Sequence, residues 1–257
     1  MLELVQTMTM ALIPGFLLLD FFVQRHRYKR TKGWRLRGFL VTAAIFVFSG
    51  QVAAFWGFVF DGHSLFDGSK LGMLSGAVVG VLVYELCHYW YHRAAHEWTW
   101  LWRAGHQMHH SAESLDAFGA YYLHPLDAAL FTSLSSVVFF PLLGLSVEAA
   151  VIGALFLTFN AMFQHANIRT PHWLGYLIQR PESHNVHHGL HRNNYADLPI
   201  MDMLFGTFRN PRALENEACG FYLGASSRIL EMLFGVDVSK PKDQQRRLHK
   251  AVLTDAG

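Results

Sequence analysis

Sixteen histidines occur in a chain of 257 residues, and most of them fall into groups with a regular period. His88, His92 and His96 recur at every fourth position, so on a helix they share one face. His106, His109 and His110 (HQMHH) are spaced i, i+3, i+4, as are His184, His187 and His188 (HNVHH). Each triplet is expected to present three imidazoles to one side of a helical turn. His124 and His165 stand singly at the two ends of an apolar segment, while His26, His63, His172 and His249 have no company and read as surface groups. A lone histidine is more often hydrogen-bonded or exposed than a ligand. Clustered imidazoles are different: they repel when protonated and compete for donors when neutral. A metal that draws on all their lone pairs removes both penalties.

Eight to ten clustered histidines exceed one tetrahedral zinc site, so two metals are the simplest count. The two cysteines, Cys87 and Cys219, form no CxxC pair, which argues against a disulfide framework, an iron–sulfur cluster or a zinc ribbon. Imidazole ligation suits iron, zinc, copper or nickel, and spacing does not choose among them.

The elements that must position these side chains are apolar. The composition is 52% hydrophobic and only 16% charged, below the charged share of an ordinary soluble domain, and it points to a membrane. A net charge of +2 is too small to argue for nucleic acid. MLELVQ lacks the basic region of a cleavable signal, so the first apolar run is expected to stay in the mature chain. Spans are expected at about 7–23, interrupted by Pro14 and carrying Asp20, at 38–60, which is free of charge, and at 71–91. The last of these continues without a breaker into the first histidines. Residues 126–164 read as an apolar helical hairpin broken at PLLG, each arm near the ~17-residue minimum for crossing, so a shallow hairpin and two full spans both stay open. A catalytic cap is expected from 85–125 and 165–211, the whole of 1–257 forming one all-α, membrane-embedded domain. Arg25, Arg27, Lys29, Arg30, Lys32, Arg35 and Arg37 fall between the first two spans, which by the positive-inside rule makes that loop cytoplasmic. Following the chain from there puts every histidine motif on the same side.

HRAAH at His92 to His96, HQMHH and HNVHH, in that order, resemble the histidine boxes of the fatty acid hydroxylase superfamily, also called the sterol desaturase family. YWYHR around His92, HP at His124 and Pro125, FQHANI around His165 and NYADLPIMDMLFGTF from Asn194 extend the similarity over roughly Tyr84 to Pro211. The resemblance implies a membrane oxygenase with two histidine-bound iron ions (Fe2+/Fe3+) that uses O2 and two electrons to hydroxylate or desaturate a C–H bond of a lipid. The ligands it implies are His92, His96, His106, His109, His110, His184, His187 and His188, with His165 and His124 as further positions. His88, where relatives usually carry an aromatic residue, and His191, Glu97 and Asp202 are expected to support the ligands from behind. Glu85, Glu113 and Glu182 are further candidates for that role, and Asp127 stands where a glutamate is common.

No dinucleotide fingerprint is present, so reducing equivalents are expected from a separate carrier, a b-type cytochrome or a ferredoxin with its reductase. Lys240, Lys242, Arg246, Arg247 and Lys250 can dock an acidic carrier or anionic lipid, or form a solvated tail. The site is expected to face the cytoplasm, in a bacterial inner membrane rather than the endoplasmic reticulum. A zinc-dependent membrane hydrolase and a metal transporter are the competing readings. No local motif distinguishes a fatty acyl substrate from a sterol, or hydroxylation from desaturation.

Overall fold

The computed structural model describes residues 2–189, 193–216 and 218–242. The apolar runs become long helices: α1 (Leu2–Phe22), α2 (Trp34–Val59) and α3 (Met73–Glu97). Beyond them, Thr99–Leu101 (α4), a π-helical turn at Trp102–His106 and Gln107–His110 (α5) lead to α6 (Pro125–Val137), which a second π turn extends to Leu142, and to α7 (Val147–His165). Among the described residues five helices are long and apolar enough to cross a membrane, the two arms of the hairpin included. At 1.5 Å per residue the 18-residue unit Pro125–Leu142 reaches about 27 Å, close to the ~30 Å of a hydrocarbon core. Leu36, Phe39, Leu40 and Phe58 of α2 point outward, an apolar surface that lipid would cover. The chain is an all-helical integral membrane protein; among the described residues there is no strand.

α7 packs along both α1 and α3, and α2 packs along α6. Small residues let α3 pack on α7 and on the turn before it: a Cβ on Gly76 would lie 3.0 Å from Ala149 Cβ, and one on Gly80 would lie 2.7 Å from Leu145 Cδ1. One end of the bundle is closed by backbone pairing between the α2–α3 loop and the α6–α7 turn, Leu65 N–H donating to Pro141 O (2.8 Å) and Phe66 N–H to Leu142 O (3.0 Å). Gly144 makes that turn at φ +60°, and a Cβ there would strike Phe66 O.

The other end carries the cap. α8 (Pro181–His188), α9 (Pro199–Phe205) and α10 (Ile229–Leu233) lie in the chain after α7, the first two starting on proline at the position where a missing N–H costs nothing. The basic loop belongs to this end: Arg25 N–H donates to Asn167 O (3.0 Å), and the Trp34 indole donates to Asp116 (3.1 Å). Loop and histidine motifs therefore share one side, as charge counting predicts. Pro14 lies inside α1 without ending it. Asp20, which interrupts the apolar run, is buried and accepts the N–H groups of Ala117 (2.5 Å) and Asn167 (2.9 Å), fastening α1 to the cap.

Candidate metal centre

The last turns of α3 and α7 bring His92, His96 and His165 to the floor of the cap, where α5 and α8 meet them. Nine imidazoles converge there in two groups. His92, His96, His106, His110 and His187 form one; His109, His165, His184 and His188 form the other, and within each group the candidate ligand atoms lie within 4.8 Å of one another. The HxxHH triplets do not each face one way, as helical spacing alone predicts. Each contributes its i, i+4 pair to one group and its remaining histidine to the other, so the two motifs lace the groups together. The division is the same on α5 and on the regular helix α8, and the two triplets meet ring to ring: His110 and His188 stack with centroids 4.4 Å apart.

Hydrogen bonds at the outer nitrogens decide what the inner ones offer. His92 Nδ1 lies 2.6 Å from Tyr195 O, His106 Nδ1 lies 2.9 Å from Asp127 Oδ2, and His187 Nδ1 lies 2.9 Å from Asn193 O. Carbonyl and carboxylate oxygens accept, so each of these Nδ1 atoms carries the proton and each neutral ring presents a bare lone pair at Nε2. His106 Nε2 is nevertheless 2.9 Å from His92 Nε2 and 3.1 Å from both His96 Nε2 and His110 Nε2. A shared proton can join one such pair but not three. His187 Nε2 is buried and has no hydrogen-bond partner among the described residues. In the second group His165 Nδ1 donates to Ala161 O (2.8 Å), and its Nε2 lies 3.2 Å from His109 Nε2 and 3.1 Å from His184 Nε2. Converging lone pairs fixed from behind fit metal ions, and an all-imidazole donor set suits iron, zinc, copper or nickel.

Burial, reinforced by neighbouring imidazoles, holds His109, His110, His184 and His188 well below the ordinary histidine range, and burial brings His187 down to about 3. They are neutral at physiological pH, the form that binds metal. Buried carboxyl groups lie close behind the imidazoles. Asp127 is one of them. It is fully buried, accepts from Tyr91 Oη (2.5 Å) as well as from His106, and reaches the site because Gly105 lets the start of α6 approach, a Cβ there lying 3.3 Å from Asp127 Cβ. Asp202 acts one step back, accepting from Tyr195 N–H (2.8 Å), Ala196 N–H (3.0 Å) and Thr207 Oγ1 (2.7 Å), and so fixes the carbonyl that receives His92. Glu85, His88 and Asp197 form a third buried group. Burial and the adjacent Glu85 push the Asp197 carboxyl above the ordinary carboxylate range.

Other expected positions fall elsewhere. His124 joins neither group: its Nδ1 accepts Leu126 N–H (3.0 Å) and caps α6, so helix capping takes the lone pair that a ligand would need. His88 stacks on His92 at 5.4 Å without entering either histidine group. Glu97 is exposed at the end of α3, a poor place from which to orient a buried ring. Glu113 and Glu182 hold loops, the first accepting from Ser226 and Gly224, the second from Thr170. His191, His249, Arg246, Arg247 and Lys250 lie outside the described residues. Sequence reasoning missed Asn193 O, Tyr195 O and Ala161 O, because a backbone carbonyl has no residue signature.

A cavity of about 500 Å³ runs from the histidines into the bundle. His88, His92, His106, His109, His165 and His184 line one end, and Thr9, Phe46, Ala53, Phe139, Val151 and Ala154 line the walls toward the opposite end of the helices. A surface groove of about 820 Å³ beside Trp98 and Trp100 is larger but contains no histidine.

Residues 77–207 match the family model described as fatty acid hydroxylase. Curated relatives include alkylglycerol monooxygenase of Homo sapiens, 37% identical over 47% of this chain and 28% of its own length. Ornithine lipid hydroxylase OlsE of Rhizobium tropici is 32% identical over 58% of this chain and 46% of its own. Sphinganine C4-monooxygenase 1 of Arabidopsis thaliana is 26% identical over 56% and 57%. The chain thus spans between about a quarter and somewhat over half of these relatives, and no solved structure matches it. The matched segment covers just over half of the chain and contains every histidine of both groups, and on that ground the protein belongs to the fatty acid hydroxylase family.

Proposed function

We propose that the protein is a membrane-bound di-iron oxygenase that hydroxylates a C–H bond of a lipid at the cytoplasmic face, with desaturation as the related outcome. The convergence of His106 Nε2 on three other Nε2 atoms, with His92 and His106 held from behind at Nδ1, carries this reading. Two bound iron ions would supply oxygen activation, O2, two electrons and two protons yielding one hydroxyl group and one water. His92, His96, His106, His110 and His187 would hold one ion, and His109, His165, His184 and His188 the other. Asp127 and Asp202 keep the lone pairs aimed, directly or through Tyr195 O, and the buried cap keeps bulk water from the reacting end of the cavity. The cavity, walled mainly by apolar side chains of the bundle helices, would seat the lipid chain. The names of the relatives, all acting on lipids, support the substrate class.

Electrons would come from a separate carrier, a b-type cytochrome or a ferredoxin with its reductase. The basic loop at the histidine end supports a cytoplasmic site, and an inner bacterial membrane is the setting proposed. Ligands at the ends of helices, away from the bilayer midplane, favour this reading over a transporter. Lipid extracts of a host expressing the chain, compared with one expressing His109→Ala, should differ by a species with one added oxygen or two fewer hydrogens. Activity that persists under strict anaerobiosis would instead favour zinc-dependent hydrolysis.

A further inference from the structure

The wall of the cavity beside the histidines is rich in hydrogen-bond acceptors that the protein does not satisfy. Asp197 and Gln164 both line it, and Gln164 Nε2 donates to Asp197 Oδ1 at 2.8 Å. That bond leaves Gln164 Oε1 buried with no partner among the described residues, although the residue is only 6% exposed. His88, 5% exposed, lines the same wall, its Nδ1 turned to Glu85 Oε2 at 4.0 Å. Behind them Glu85 Oε2 is occupied by the N–H groups of Asp197 and Leu198 (both 3.0 Å), whereas Glu85 Oε1 is buried and unpartnered. A buried acceptor without a donor is costly, and a pair of them at one place on an otherwise apolar wall marks where a ligand brings donors. We propose that Asp197 and Gln164, with His88 beside them, bind a hydrogen-bond-donating group of the lipid, a hydroxyl or an ammonium, and so place the neighbouring carbon against the histidine groups.

This assignment rests on the lipid-oxygenase reading and makes it more specific. A hydroxyl or an ammonium brings a donor to Gln164 Oε1, the buried acceptor left without one. A free carboxylate brings only acceptors to that atom, so the wall discriminates against it.

Binding is read on the metal-loaded full chain in detergent, without oxygen or reductant, using four probes of equal chain length: a primary alcohol, a primary amine, a carboxylic acid and an alkane. The alcohol, the amine or both should bind about tenfold or more tightly than the acid and the alkane. Amine over alcohol identifies an ammonium as the preferred donor, and the reverse identifies a hydroxyl. Gln164→Leu and Asp197→Asn should each shrink that preference while retaining bound metal, which certifies the fold; either variant suffices if the other fails to load. Equal binding of all four probes, or a preference unchanged in a loaded variant, overturns the proposal. So does a third equivalent of divalent metal, present in the parent chain and lost in His88→Phe, since an ion would then occupy these acceptors. Absence of donor preference sinks this inference alone, whereas absence of metal sinks the oxygenase reading.

Discussion

Replacing Asp127 by alanine should weaken one metal site and spare the other. The carboxylate is fully buried and accepts from His106 Nδ1 at 2.9 Å and from Tyr91 Oη at 2.5 Å. Without it His106 has no fixed acceptor for its outer N–H, and the ring can place its proton on Nε2, where the lone pair is needed. Loss of a partner that orients a metal-bound histidine lowers affinity roughly 10–100-fold, which is about 1.4–2.7 kcal/mol. His106 is the hub of its group, with three Nε2 atoms within 3.1 Å, so the effect should fall at the upper end for that site. None of the partners of Asp127 belongs to the group of His109, His165, His184 and His188. Anaerobic titration of the metal-free chain with ferrous ion against a competing chelator should show two tight sites in the parent and one tight, one weak in Asp127→Ala. Asp127→Asn keeps one acceptor oxygen and should lie between. Equal weakening of both sites, or of neither, would refute the reasoning.

Asp202→Ala removes an acceptor shared by Tyr195 N–H, Ala196 N–H and Thr207 Oγ1, so it should lower the melting temperature and loosen the site through His92; a change in melting with no change in metal affinity would disconnect Asp202 from the ligands. Ala154→Phe narrows the cavity far from the histidines, and should shift the oxidised lipids to shorter chains at unchanged metal content, an outcome that lipid mass spectrometry reads directly. The metal-free chain should lose stability as pH falls. In the unfolded chain histidines titrate near 6.5, whereas in the fold burial holds His109, His110, His184 and His188 well below that range and His187 at about 3. The unfolded state therefore binds more protons below pH ~6.5, and stability declines from there toward pH ~3. Thermal melts that stay flat or rise on acidification would contradict this.

Much of this architecture is legible in the residues. Long apolar runs dictate the spans because a helix in lipid satisfies its own backbone, and counting spans from the basic loop puts the histidine motifs at the loop's end of the bundle. Spacing also identifies eight of the nine converging histidines, and the family resemblance adds His165. It does not show how they divide, since partition of the HxxHH triplets depends on how α5 and α8 meet across the cap. His124 has a plausible position in the chain but spends its lone pair on a helix cap. Asp20 reads as a flaw in an apolar helix until its partners, 97 and 147 residues away, are in view.

The most direct measurement is the iron content of the folded chain after anaerobic loading and desalting, read beside the same measurement on His109→Ala. The account requires two ions per chain in the parent and fewer in the variant. A well-folded parent that retains one ion, or none, would contradict it.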